Sequence, residues 1–359
     1  MKLVTASTAT QVSAAGLVVE ATNTGTITRV GFQGAAGDLS ITLVGGKLQL
    51  NTVALDFTTM GLIPGEWVYL GGDGAAFQFG TAASNGFYRI YSIAAKVLVF
   101  DRAPDLAAAD AGAGKTVQVF FAQVLKNESN PALQKLRTYQ AERTLTAAAD
   151  KIEYVLGLAA NQLKLTTKVA TKLIAELDFI GLDVDATQVA QKAGTRPALR
   201  PQTAYSASSD YSRLRLTNDV DGTAFAVYLT DIEVTIDNGL EVEKAIGTLG
   251  GVSHSLGDFK VEAKVEAFFN STAAIAAVKA NTTASLDFAT VTNVNTSGVG
   301  NQAVGWLFDL PALSLGDAKI KVEKNKKIKL PLTGDAFASD TFNHTLIVCN
   351  FPFLPQIAL

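Results

Sequence analysis

A chain of 359 residues, 48% hydrophobic and 18% charged, is long enough for two or three compact units and apolar for a soluble monomer. No run approaches the roughly 18 consecutive apolar residues of a bilayer span. A formal net charge of −3, from 30 basic and 33 acidic residues, excludes a protein that grips nucleic acid through a basic excess, and the single Cys349 excludes a disulfide framework or a multi-cysteine zinc site.

The opening "MKLVTASTATQVSAAGLVVE" has one lysine and no continuous apolar core, so no secretory signal is expected and Cys349 reads as a small buried hydrophobe in a reducing compartment. From 37 to 125 come six short strand candidates, "LSITLV", "KLQLNTV", "EWVYLGG", "GFYRIYSI", "KVLVFDR" and "TVQVFFAQV". Gly45-Gly46, Pro64-Gly65, Gly71-Gly72 and Asn85-Gly86 punctuate them, which predicts a small β-barrel or sandwich inserted into the main fold. Its Ala- and Gly-rich "APDLAAADAGAGK" is expected to be a rim loop. Within it "GAGKT", Gly112–Thr116, lacks the earlier glycine of a phosphate-binding loop, where Ala109 stands, and runs into a strand instead of a helix.

"NQLKLTTKVATKLIAELDFIGLD", residues 161–183, has a helix-forming composition, yet its apolar residues alternate. Leu163, Leu165, Val169, Leu173, Leu177 and Phe179 fall on odd positions, and Lys164, Lys168, Lys172, Glu176 and Asp178 on even ones. Period two predicts a hairpin turning near Val169–Thr171. "DATQVAQKA", residues 185–193, reads as a helix, and Pro197 and Pro201 mark a linker over 191–210. "TDIEVTIDNGL" places Ile232, Val234 and Ile236 on one strand face before an Asn238-Gly239 turn. "GDFKVEAKVEAFFN" alternates Val261, Ala263 and Val265 with Lys260, Glu262, Lys264 and Glu266, and cross-strand pairing accounts for those charges. Regions 140–182 and 228–270 thus read as related strand-turn-strand units. "NSTAAIAAVKAN", residues 270–281, is the best helix, with Asn270 or Ser271 as cap. "DAKIKVEKNKKIKL", residues 317–330, carries six lysines and reads as a strand that binds DNA, protects an exposed edge or mediates assembly.

Catalytic residues are sparse. His254 has Ser253, Ser255 and Asp258 beside it, but sequence neighbours seldom converge as a triad, and a polar turn is the simpler reading. His254 and His344 lack metal-ligand spacing, so neither a metal nor a cofactor is expected.

"LAANQLKLTTKVATKLIAELDFIGLD" resembles the central element of tail tube proteins of long-tailed bacteriophages, a short strand leading through a turn to a strand ending in Phe-x-Gly. "YLTDIEVTIDNGLEVEKAIGTLGG" with "GDFKVEAKVEAFFNSTAAIAAVKANTTASLDF" resembles the family's second half, and "GLIPGEWVYLGG" with "NGFYRIYSIAAKVLVFDRAP" is similar to the small β-module of some members. The resemblance implies a mainly β fold of sandwich or barrel units with one or two flanking helices. The core would take 1–36 and 126–359, as two related units near 126–185 and 215–359 joined by a linker near 186–214, with 37–125 as the inserted module. It further implies a structural virion protein in stacked hexameric rings, or trimeric rings of duplicated units, forming a hollow tail tube. Its partners would be other copies of itself, the tape-measure protein, tail-end proteins and double-stranded DNA in transit. It would be assembled in the host cytoplasm, with no membrane, enzyme activity or cofactor.

A DNA conduit should repel phosphate weakly, so Glu176, Asp178, Glu262 and Glu266 are the residues expected to face the channel. The alternatives are a surface-displayed module recognising a host glycan or protein through Trp67, Phe87, Tyr88 and Tyr91, and a hydrolase using His254 with Ser253 or Ser255.

Overall fold

The computed structural model describes residues 6–8, 11–13, 30–128, 130, 132, 134–146, 151–188, 191–195, 204–219, 222, 225, 228–268, 272–293, 303–316, 320, 322, 324–325 and 327–358. It is mainly β. A small hairpin, Ala6–Thr8 (β1) with Gln11–Ser13 (β2), comes first.

The next seven strands form an antiparallel sheet. They are Gly31–Gln33 (β3), Ser40–Val44 (β4), Lys47–Asn51 (β5), Trp67–Leu70 (β6), Gly86–Ala94 (β7), Val97–Arg102 (β8) and Gln118–Phe121 (β9), in the order β3-β9-β6-β7-β8-β5-β4. All six strand candidates form; β3 joins them from before residue 37. "TVQVFFAQV" divides at buried Ala122: β9 completes this sheet, and Gln123–Lys126 (β10) crosses to the larger one. Val119 and Phe121 point into the module core with Val68, Tyr88, Ile90 and Phe100, while Phe120 and Ala122 point out of it into a second cluster. The expected rim loop is tied down through Asp110, whose carboxylate accepts from the backbone N–H of Thr81 (2.6 Å) and Gly112 (2.8 Å).

The larger assembly of 12 strands takes in β10 and eleven more. These are Tyr139–Thr144 (β11), Ile152–Lys168 (β12), Ile174–Ile180 (β13), Asp183–Gln188 (β14), Tyr211–Asn218 (β15), Tyr228–Asp237 (β16), Lys260–Phe268 (β19), Thr283–Asn293 (β20), Ala303–Gly316 (β21), Lys329–Ala336 (β22) and Ile347–Leu354 (β23). A separate small hairpin, Glu241–Glu243 (β17) with Ser253–Ser255 (β18), projects between β16 and β19. Two long strands change partners along their length. The first half of β12 pairs with β11 and β14, its second half with β13 and β16. Residues 303–309 of β21 pair with β23, and 313–316 with β22.

These switches fold the assembly into an outer sheet, β13-β12-β16-β19-β22, packed on a middle sheet, β10-β23-β21-β20-β15. Between them lie Leu165, Val234, Val265 and Leu332 from the outer sheet and Leu216, Phe288 and Phe308 from the middle one. The middle sheet's other face, with Ala289, Leu307, Cys349 and Phe351, packs on Trp67, Tyr69, Phe87 and Phe120 of the module. Three layers result, and the middle one is covered on both sides, which is why β21 is apolar at nearly every position.

A row of buried charges runs through this second seam. Arg89, 1% exposed, bonds Asp101 and Asp309, and Asp309 also accepts from the Trp67 indole N–H at 2.8 Å. Arg213 pairs with Asp287 and donates to the Ala103 carbonyl, and Arg102 bonds Asp219 and Ser285. His344 is fully buried beside it, against Gly65, where a Cβ would sit 2.5 Å from the imidazole. Burial above all, with Lys126 and Arg89 as like charges and the Phe342 carbonyl opposing, pushes the His344 pKa down to about 4. The unfolded chain therefore takes up this proton first as pH falls. We expect the His344 contribution to be constant above about pH 6.5 and stability to fall between there and pH 4, by about 3 kcal/mol in all. Chemical denaturation of wild type and His344→Leu at pH 7 and pH 4.5 checks this; an unchanged pH slope in the variant contradicts it.

Three expectations are corrected. Residues 185–188 of the supposed helix at 185–193 belong to strand β14, because the first half of β12 offers them a ladder. The lysine-rich strand begins only at Lys329, after a turn in which Asn325 has φ +60°, and β22 pairs with β19 along its whole length but with β21 only over 333–336. Lys319, Lys321 and Lys326 lie outside the described residues. The helix forms as Ala273–Lys279 (α1), shorter than expected; Thr272 precedes it without a side-chain cap, and Asn270 and Ser271 are outside the described residues.

Candidate functional site

The hairpin at 161–183 forms as predicted, β12 turning through Ala170, whose φ of +61° reverses the chain, into β13. Directly paired residues of an antiparallel ladder share a face, so register alone builds the outer surface of the outer sheet. One row reads Glu176, Lys164, Thr235, Glu262, Asp335 across β13, β12, β16, β19 and β22. The row on one side reads Asp178, Gln162, Asp237, Lys260. Those on the other side read Thr166, Glu233, Lys264, Thr333 and then Lys168, Asp231, Glu266, Pro331. All four acidic residues singled out from the sequence therefore stand on one continuous face.

That face carries eight carboxylates, the four just named with Asp231, Glu233, Asp237 and Asp335, against five lysines, Lys164, Lys168, Lys260, Lys264 and Lys329. The second four escape a sequence reading that follows only the apolar parity of β16 and ends the basic run at residue 330, short of Asp335. The charges are interleaved. Lys164 bonds Glu233 at 2.9 Å, Lys168 bonds Asp231 at 3.3 Å, Lys264 bridges Glu262 (3.1 Å) and Glu233 (3.6 Å), and Lys329 pairs with Glu266. The hydrogen bond from Lys164, reinforced by Lys264, holds the Glu233 carboxyl below its ordinary pKa, and the same bond raises that of Lys164. Exposed pairs of this kind contribute little stability, so their main effect is on the field over the sheet. Glu176, Asp178 and Asp335 form no ion pair with a described residue, which leaves two acids uncompensated at the β13 flank and one on β22.

The other candidate sites do not assemble. His254 bonds the Gly157 carbonyl oxygen at 2.6 Å through Nε2, while strand alternation on β18 turns Ser253 and Ser255 to the opposite face. Gly112 and Gly114 adopt φ of +61° and +68°, Lys115 donates to the Ala75 carbonyl, and the chain continues into β9 with no helix N-terminus to receive a phosphate. Trp67, Phe87 and Tyr88 are buried in the seam and the module core, so they offer no recognition surface; only Tyr91 reaches solvent, with the Lys47 ammonium 3.1 Å above its ring. Among the described residues no cluster of three or more His, Cys, Asp or Glu side chains is placed to hold a metal, and no helix is long and apolar enough to cross a membrane.

The fold is a layered β-sandwich whose patterned feature is a charged sheet face. Residues 3–336 match the phage tail tube protein family, and the chain belongs to that family. Its place is the bacteriophage virion, in the tail. No curated protein matches the chain.

Proposed function

We propose that the protein self-assembles into rings that stack as the hollow tail tube, and that the charged outer face lines the channel through which the genome passes. The observation that carries this reading is the face itself: eight carboxylates and four lysines in four registered rows, Lys329 beside Glu266, and Glu176 and Asp178 on β13 without an ion pair to a described residue. Interleaved lysines limit repulsion between subunits, while the acid excess denies DNA phosphates a partner. Glu176, Asp178, Glu262 and Glu266 are the lumen residues in this scheme.

The tail-tube core comprises 1–36 and 126–359, as related units near 126–185 and 215–359 joined near 186–214, with 37–125 as an insert on the far side of the middle sheet. Two such units per chain favour trimeric rings of pseudo-sixfold symmetry over hexamers. The tape-measure protein and tail-end proteins are its partners within the tail, assembly occurs in the host cytoplasm, and the role involves no catalytic step and no cofactor. Electron microscopy of the purified protein or of virions should show hollow tubes, with the β12–β16–β19 face toward the lumen in axial class averages. A particle that stays monomeric at high concentration, or a tube whose wall turns this face outward, contradicts the proposal.

A further inference from the structure

Two apolar features lie outside the packed layers. The first is a groove of about 660 Å3 at the open end of the sandwich, between the outer sheet and the β10 edge of the middle sheet. Its walls include Leu125, Leu136, Leu177 and Leu256, which are 41–71% exposed. The second is the tip of the loop joining β17 to β18, residues 244–252, where Ile246 and Leu249 stand wholly in solvent at 107% and 98% exposure. Leaving two such side chains unburied forgoes the stabilisation that burial of large aliphatic groups provides.

The loop is held in this position. The Gly251 N–H donates to the Leu182 carbonyl at 2.7 Å, and Gly247 and Gly250 take φ of +84° and +96°, so the two aliphatic tips are presented by a turn anchored at its base. The groove and the tip cannot meet within one molecule as folded: Leu240 and Leu256, at the root of the same hairpin, line the groove, while its tip stays in solvent. Charge pairs the two surfaces. The groove rim presents Lys126, Lys135 and Arg137 with one acid, Glu128, and those three cations form no ion pair with a described residue. The stem of the hairpin presents exposed Glu241 and Glu243, likewise without one.

We propose that the 244–252 loop of one copy seats Ile246 and Leu249 in the groove of a second copy, with Glu241 and Glu243 against Lys126, Lys135 and Arg137. Because groove and loop are different patches, the contact is heterologous, repeats head to tail and gives the assembly a direction. This rests on the self-assembly proposed above and assigns it a specific joint.

The test uses the full chain, in which the native Cys349 is buried. In the Leu136→Cys/Leu249→Cys variant, mild oxidation of the assembled protein should give a ladder of disulfide-linked multimers on non-reducing gels that neither single variant gives. Ile246→Ser/Leu249→Ser should keep the wild-type circular dichroism and reduce tube formation at least tenfold. Wild-type tubes accompanied by normal assembly of the serine variant and no ladder from the cysteine pair overturn the joint and leave the tube reading standing. Absence of any assembly in the wild type overturns both.

Discussion

Replacing Arg89 with alanine is expected to lower the free energy of unfolding by about 3–5 kcal/mol, the cost of leaving a buried charge without its partner. Arg89 sits between Asp101 and Asp309 where the module meets the middle sheet, and Asp309 is 0% exposed. Burial already raises the Asp309 pKa, with Arg89 the main opposing influence and Asp287 adding to the rise. Without the guanidinium, Asp309 must either stay charged in a dry seam or take up a proton, and both weaken the fold. The comparison variant is Arg89→Met/Asp309→Asn, which removes both charges and keeps an amide oxygen to accept from Trp67. It should lose less than the sum of the two single variants by at least about 1 kcal/mol, since the partners are in direct contact. Guanidinium titrations followed by fluorescence suit the measurement because Trp67 lies in the seam. A loss below about 1 kcal/mol for Arg89→Ala means that the pair does not hold the module in place.

Much of the outer sheet was legible because each of its strands has one apolar and one charged parity, and residues two apart must share a face. That was enough to place Glu176 with Asp178, and Glu262 with Glu266, before any pairing was known. The two pairs could not be put on the same surface without the register, which depends on β16 lying between β12 and β19. The seam was not legible at all: Trp67 and Asp309 are 242 positions apart, and nothing local marks either as a partner of the other. The same cause misdirected the aromatic residues of the insert. Trp67, Phe87 and Tyr88 look like a recognition surface until the middle sheet is laid over them. Composition misled in a different way at β14, where Ala and Gln favour helix but an unpaired length of β12 supplies strand hydrogen bonds that outweigh propensity.

Reversing charge at the β13 flank should leave the particle intact and impair its use. Glu176 and Asp178 are exposed, and neither is ion-paired with a described residue, so Glu176→Lys/Asp178→Lys should change stability by no more than about 0.5 kcal/mol and tubes should form as in the wild type. The functional consequence is much larger if this face lines the channel. Each phosphate neutralised by a lysine releases condensed counterions and contributes a slope of about −0.9 to log K against log salt, and the contacts repeat in every ring along the tube. Phage carrying the variant subunit should adsorb normally, eject DNA more slowly and lose about tenfold or more in titre. The impairment should ease as ionic strength is raised during ejection. Glu176→Gln/Asp178→Asn separates the two effects, because it removes repulsion without adding attraction and should reduce the titre only slightly. Lysine-bearing tubes that eject DNA at the wild-type rate in low salt would show that phosphate never meets this face; the four rows would then have to be explained by contacts between subunits.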